Sequence, residues 1–97
     1  MQNTISDKKL EKYFEVTKKA LDKAKVKAPS KIDLKKVADD FIDTATRYYN
    51  DAHYFAKKGD MVTAFAALNY AHGFLDAAAR AKLIDVKDSD LFASDEI

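Results

Sequence analysis

The chain has no cysteine, two glycines and a single proline among its 97 residues. Without cysteine, neither a disulfide framework nor a thiolate metal site can form, which favours a reducing, cytoplasmic setting. So few glycines and prolines leave few punctuation marks between elements. No apolar run approaches the roughly 18 residues of a membrane helix. The opening residues, MQNTISDKKLEKYF, lack the apolar segment of a secretory signal, so no membrane association is expected. A glycine-rich phosphate loop, a nucleophile elbow and a serine placed with a histidine are all missing, so catalysis has no recognisable centre.

What is present is a globular composition, 47% hydrophobic and 34% charged, and a length that suits one domain, residues 1–97, with a modest core. The net charge of +1 is unevenly spread. Residues 1–36 hold eleven lysines against five acids, 37–82 hold five bases against six acids, and 83–97 hold one lysine against five acids. A basic start and an acidic tail suit nucleic acid or an anionic surface, or the two ends of the chain facing each other; the modest size of the excess favours the second.

Apolar and small side chains recur at helical spacing. Leu10, Tyr13, Phe14, Thr17, Ala20, Leu21 and Ala24 form one face of a helix over about 7–27, with Lys8, Lys12, Lys19, Lys23 and Lys27 on the remainder. Ser6 is its expected N-cap, and Ala28-Pro29-Ser30 ends it, because the residue before proline is pushed out of the helical region. Helix two, about 33–58, is capped by Ser30 or Asp33. Its seam is Leu34, Ala38, Phe41, Ala45, Tyr48, Ala52 and Phe55, widened by Ile42, Tyr49 and Ala56. Gly59 stands where a left-handed residue closes a helix, and Asp60 can cap the next.

Helix three, about 61–82, carries Met61, Ala64, Leu68, Ala71, Leu75 and Ala78 on one seam and Ala66, Tyr70, Gly73 and Ala77 on a second, with Phe65 and Phe74 beside the first. Apolar around most of its circumference, it is expected to be the most buried element, with Gly73 and the alanines admitting close backbone approach. The predicted fold is all-α: a three-helix up-down-up bundle in which helix three touches both others. Residues 85–97 form a short acidic C-terminal tail containing Val86, Leu91, Phe92 and Ile97. It is expected to be ordered, with a turn starting at Ser89, and to dock on the bundle or on a neighbouring chain.

Polar and aromatic residues gather near the predicted hairpin. His53 and His72, with Asp51, Asn69 and Asp76 near them in sequence, present nitrogen and oxygen donors of the kind that hold metals. Their spacing argues against a metal: no histidine pair sits at i and i+4. Counted from Gly59, His53 and His72 are offset by about 10 Å along the axis. Tyr48 and Tyr49 are expected to bury their rings. Tyr54 and Tyr70 lie off the main seam, sharing strips with Arg47 and Gly73, and read as an interface or a stacking surface. Asp39, Asp40 and Asp43 read as a solvated face. The candidate binding residues are therefore Arg47, His53, Tyr54, Asn69, Tyr70, His72, Gly73 and Asp76, with no catalytic residue, metal ligand or cofactor assigned.

The strings Tyr48-Tyr49-Asn50-Asp51-Ala52, Tyr54-Phe55, Lys58-Gly59-Asp60, Ala64 through Gly73 and Leu75-Asp76-Ala77 resemble an archaeal family catalogued as domain of unknown function 357. That resemblance implies a small intracellular helical protein and brings no activity. The hairpin also resembles one tetratricopeptide repeat, of which about three are needed to build a solenoid. Gly59-Asp60, Ala64, Asn69-Tyr70-Ala71 and Ala77-Ala78-Ala79-Arg80 are similar to HEPN domains, whose nuclease spacing Arg47 and His53 match, although in a helix that precedes the turn. The preferred expectation is a non-catalytic protein-interaction module, as a homo-oligomer or with a protein partner. The alternatives are a HEPN-like nucleotide- or RNA-binding module and a metal- or small-molecule-dependent enzyme.

Overall fold

The computed structural model of the protein describes residues 4–27, 29–85 and 91. Three helices, α1 (Asp7–Lys23), α2 (Leu34–Lys57) and α3 (Met61–Arg80), make up its regular structure, and the described residues contain no strand. Each helix starts on a side-chain cap, which satisfies one of the amides that a first turn leaves without a helical partner. The Lys9 amide donates to Ser6 Oγ at 3.1 Å, the Lys36 amide to Asp33 Oδ1 at 3.1 Å, and the Thr63 amide to Asp60 Oδ1 at 3.1 Å. Of the two caps open to α2, the chain uses Asp33. Hydrogen bonding from Thr63, through its side chain first and its amide second, holds the Asp60 carboxyl below the usual carboxylate range.

The α2–α3 turn is a Schellman closure. Gly59, at φ 81°, donates its amide to Ala56 O at 3.0 Å, and the Asp60 amide reaches back to Phe55 O at 3.0 Å. The same closure ends α3: Lys82 donates to Ala79 O at 3.0 Å and Leu83 to Ala78 O at 2.9 Å. There the left-handed position, φ 60°, is held by Lys82, the one non-glycine among the described residues with positive φ. Backbone handedness thus stops α3 at Arg80, just short of the predicted 82.

Between α2 and α3 lies a seam of alanine. Ala45 and Ala52 on α2 meet Ala64, Ala67, Ala71 and Ala78 on α3, with Ala78 fully buried. Among the described residues every buried side chain is an alanine. The predicted seams are correct in position, but their large members lie at the edges. Phe41, Tyr48, Phe55, Phe74 and Leu75 are half-buried, and Leu68 is 43% exposed. Small facing residues bring two helices close together, and that closeness displaces Phe, Tyr and Leu to the two rims.

α1 stands apart from this hairpin. It packs against neither α2 nor α3, and Leu10, Tyr13, Phe14 and Leu21 are 51% to 69% exposed. The contact of α3 with both other helices is therefore made with α2 alone. α1 also ends at Lys23 rather than near residue 27, with Ala24 already extended (ψ 129°). Without a neighbour to offset the entropy of its last turn, and with Pro29 ahead, the helix stops early. The shape agrees: the radius of gyration is 15.9 Å, against about 12.5 Å for a compact domain of this length. Ala28, Val86, Ser89, Phe92 and Ile97, on which the helix-ending and tail-docking expectations rest, lie outside the described residues; Leu91 is 57% exposed.

Candidate functional site

Because α2 and α3 are antiparallel about Gly59, residues equidistant from it should oppose each other. Tyr48 and Tyr70 each stand eleven positions from the turn, and their rings lie 4.6 Å apart. Phe74 extends the cluster, 5.6 Å from Tyr70, near-parallel to Tyr48 at 6.4 Å, and edge-on to Phe41 at 5.7 Å. These four aromatics form one rim of the hairpin. Beside them runs an open groove of about 360 Å³ lined by Phe41, Asn69, Tyr70, Gly73, Phe74 and Ala77.

Three of the eight predicted residues, Asn69, Tyr70 and Gly73, thus line a single surface. Tyr70 is 57% exposed although it touches Tyr48 and Phe74. Gly73 has open space where a Cβ would stand, so among the described residues no backbone makes a close approach there. Phe41 and Phe74 complete the groove. The α2 stripe and the flank of α3 contained that signal, but it reads as core until the alanine seam is seen to push both rings outward.

The other five candidates are dispersed. At about 100° per residue, Arg47 and Tyr54 fall on the side of α2 opposite the Ala45–Ala52 seam. Arg47 Nε is held by Asp43 at 2.9 Å, while Tyr54 packs edge-on to Phe55 with Lys58 Nζ 5.5 Å from its ring centre. His53 rests against the Tyr49 ring at 4.8 Å. His72 lies on the opposite rim from Tyr70, its Nε2 3.4 Å from Asp76 Oδ1 on the next turn of α3. Tyr49, expected to bury its ring, is 51% exposed.

The geometry gives little to carry a reaction. Arg47 and His53, the HEPN-like pair, have different partners on different faces of α2. Among the described residues, no three of His, Asp and Glu are grouped so as to hold a metal ion, and no helix is long and apolar enough to cross a membrane. The helix-surface ion pairs, Lys18–Asp22, Glu15–Lys19, Lys35–Asp39 and Asp43–Arg47, are solvent-exposed i,i+4 contacts. Such pairs are screened by solvent and contribute little to stability. The bond and charge of Asp39 hold the Lys35 ammonium above its usual range without giving it a task.

Residues 12–84, from within α1 to just beyond α3, match the model of a family described as "Protein of unknown function (DUF357)". No curated protein and no solved structure matches the chain.

Proposed function

The chain belongs to the DUF357 family of proteins of unknown function, and we propose that it serves as a non-catalytic helical interaction module whose partner is another polypeptide, a second copy of itself included. One observation carries this reading: once α2 and α3 have packed, no described side chain larger than alanine is buried, and large apolar groups remain on both rims and on α1. Apolar surface on that scale is what a partner covers. The strip around Asn69, Tyr70 and Gly73 is the proposed contact surface. Its aromatics form a firm wall, and Gly73 leaves room for a backbone from outside. Cytoplasmic location and the absence of a cofactor belong to the same proposal.

Association should be insensitive to salt, survive Gly73→Ala, and be lost in Gly73→Leu, where the added side chain fills the strip. Sedimentation and binding assays on the whole chain read this directly. If a fluorescent single-stranded RNA bound instead, weakening steeply between about 50 and 200 mM salt as released counterions require, the HEPN-like alternative would replace the reading.

A further inference from the structure

Uncharged surface on α3 extends beyond the aromatic strip. Val62, Ala66, Asn69, Gly73 and Ala77 recur every three or four residues and so form one stripe along the helix. At about 100° per residue, that stripe faces away from the Ala64–Ala71–Ala78 seam. Two adjoining clefts cover it and share Asn69. One, of about 460 Å³, takes in Met61, Val62, Phe65, Ala66 and Asn69; the other is the aromatic groove that reaches Gly73 and Ala77. The first is already in use, because Ile5, two residues ahead of α1, forms one of its walls. We propose that α1 is a strap that closes, within a single chain, over the rest of the stripe, laying Leu10, Phe14 and Thr17 along Tyr70, Gly73 and Ala77.

Three observations select α1 as the occupant. First, its two ends are tied to opposite ends of the hairpin. Ile5 sits on the first half of α3, beside the Gly59 turn, and residues 24–33 join α1 covalently to Leu34 at the open end. Behind the hydrogen bonds from Thr63, the charge of Lys9 also lowers the Asp60 carboxyl, which agrees with that placement of the first turn of α1. A closed α1 therefore runs parallel to α3. Second, the lengths match. From Ile5, two extended steps and then helix carry the chain about 14–17 Å to Phe14 and about 18–22 Å to Thr17. Measured from Phe65 in the first cleft, Gly73 lies about 12 Å and Ala77 about 18 Å along α3. Phe14 thus arrives between Gly73 and Ala77, where the absence of any atom within 4 Å of a Gly73 Cβ leaves room for its ring.

Third, the linker favours the chain's own helix over a free polypeptide. Residues 24–33 can span up to about 33 Å, so they do not hold α1 off the stripe, and a tether of that kind keeps its load at millimolar effective concentration. Closure would cover Leu10 and Phe14, which are 51% and 69% exposed in the open arrangement that the structure shows. It also orders the linker, and that entropy makes the closed state the minority one, so α1 still exchanges its amides as an open helix. A regulatory consequence rests on the reading of the strip as a contact surface: a partner reaching Tyr70 and Gly73 competes with α1.

Because the chain lacks cysteine, two introduced thiols report closure without background. Thr17→Cys with Ala77→Cys uses exposed positions and keeps the large apolar residues of both stripes. In a glutathione redox buffer, the effective concentration of this pair within one chain should exceed at least about tenfold that of Thr17→Cys with Thr46→Cys, which lies on the opposite rim and feels the tether alone. Adding Phe14→Glu should bring the first pair down to the control, with helical circular dichroism retained. Equal values for the two pairs, or an excess that Phe14→Glu leaves intact, overturns the proposal. Disulfides formed only between chains also overturn it, since they would give the stripe to a second copy. Sedimentation of the oxidised Thr17–Ala77 pair tests the regulatory consequence: the locked chain should self-associate at least about tenfold more weakly than the reduced one, and equal association removes that role from α1. A reduced chain monomeric at every concentration defeats self-association through the strip, while the disulfide comparison still decides whether α1 closes.

Discussion

The two glycines should respond oppositely to one chemical change. Gly59 stands at φ 81° in the α2–α3 closure, where an L side chain costs about 1–2 kcal/mol. The stiffer unfolded chain returns about 0.4–1 kcal/mol, so Gly59→Ala should destabilise by about 1 kcal/mol. Gly73 lies inside α3, and a Cβ there meets nothing within 4 Å. Gly73→Ala should therefore stabilise by about 0.5–1 kcal/mol, the ordinary helix advantage of alanine over glycine. The variants should differ by nearly 2 kcal/mol, or roughly 8–16 °C in melting midpoint for a domain of this size. Helical circular dichroism followed through heating is sufficient, with all proteins at one concentration, because association shifts the midpoint. Destabilisation by Gly73→Ala at concentrations where the chain is monomeric would refute the reasoning, because a Cβ at Gly73 meets nothing within 4 Å in the single chain.

Further outcomes follow from the same geometry. Lys82→Gly relieves the left-handed lysine that closes α3 and should stabilise by up to about 1 kcal/mol in denaturant titration. Asp60→Ala removes the acceptor of the Thr63 amide and should lower the melting midpoint by a few degrees. Because the folded Asp60 carboxyl titrates below its unfolded value, its contribution is fully present above about pH 4 and is lost as the pH falls through the folded pKa. Melts across that acid range should therefore show a steeper loss in wild type than in Asp60→Ala. Arg47→Ala breaks an exposed pair with Asp43 and should move stability by less than about 0.5 kcal/mol.

Much of this architecture is legible in the sequence, and the limits have physical causes. Lys58-Gly59-Asp60 names its own turn, because few other residues accept a positive φ and the aspartate oxygen meets the third amide of α3. Counting outward from that turn pairs Tyr48 with Tyr70. Periodicity also assigns the faces correctly, but it weights Ala45 and Phe41 as equal members of one stripe. Their sizes decide otherwise: the alanines close the seam and Phe41 is left on a rim. The same size effect turns expected core into surface at Leu68 and Tyr49. Periodicity cannot show that α1 would keep its apolar stripe free, since an amphipathic helix reads alike whether it is docked or not. For the candidate site, sequence proximity gathered His53, Tyr54 and Arg47 with Tyr70, whereas the 100° step per residue separates them.

Amide hydrogen exchange on the whole chain tests the central claim most directly, namely that order resides in an alanine-seamed hairpin from which α1 is separate. Exchange should be slowest around Ala45–Ala52 and Ala64–Ala78, with Asp7–Lys23 exchanging far faster and at a rate that does not depend on protein concentration. Protection of residues 7–23 equal to that of α2 and α3 would contradict the account, because it would place α1 inside the same cooperative unit.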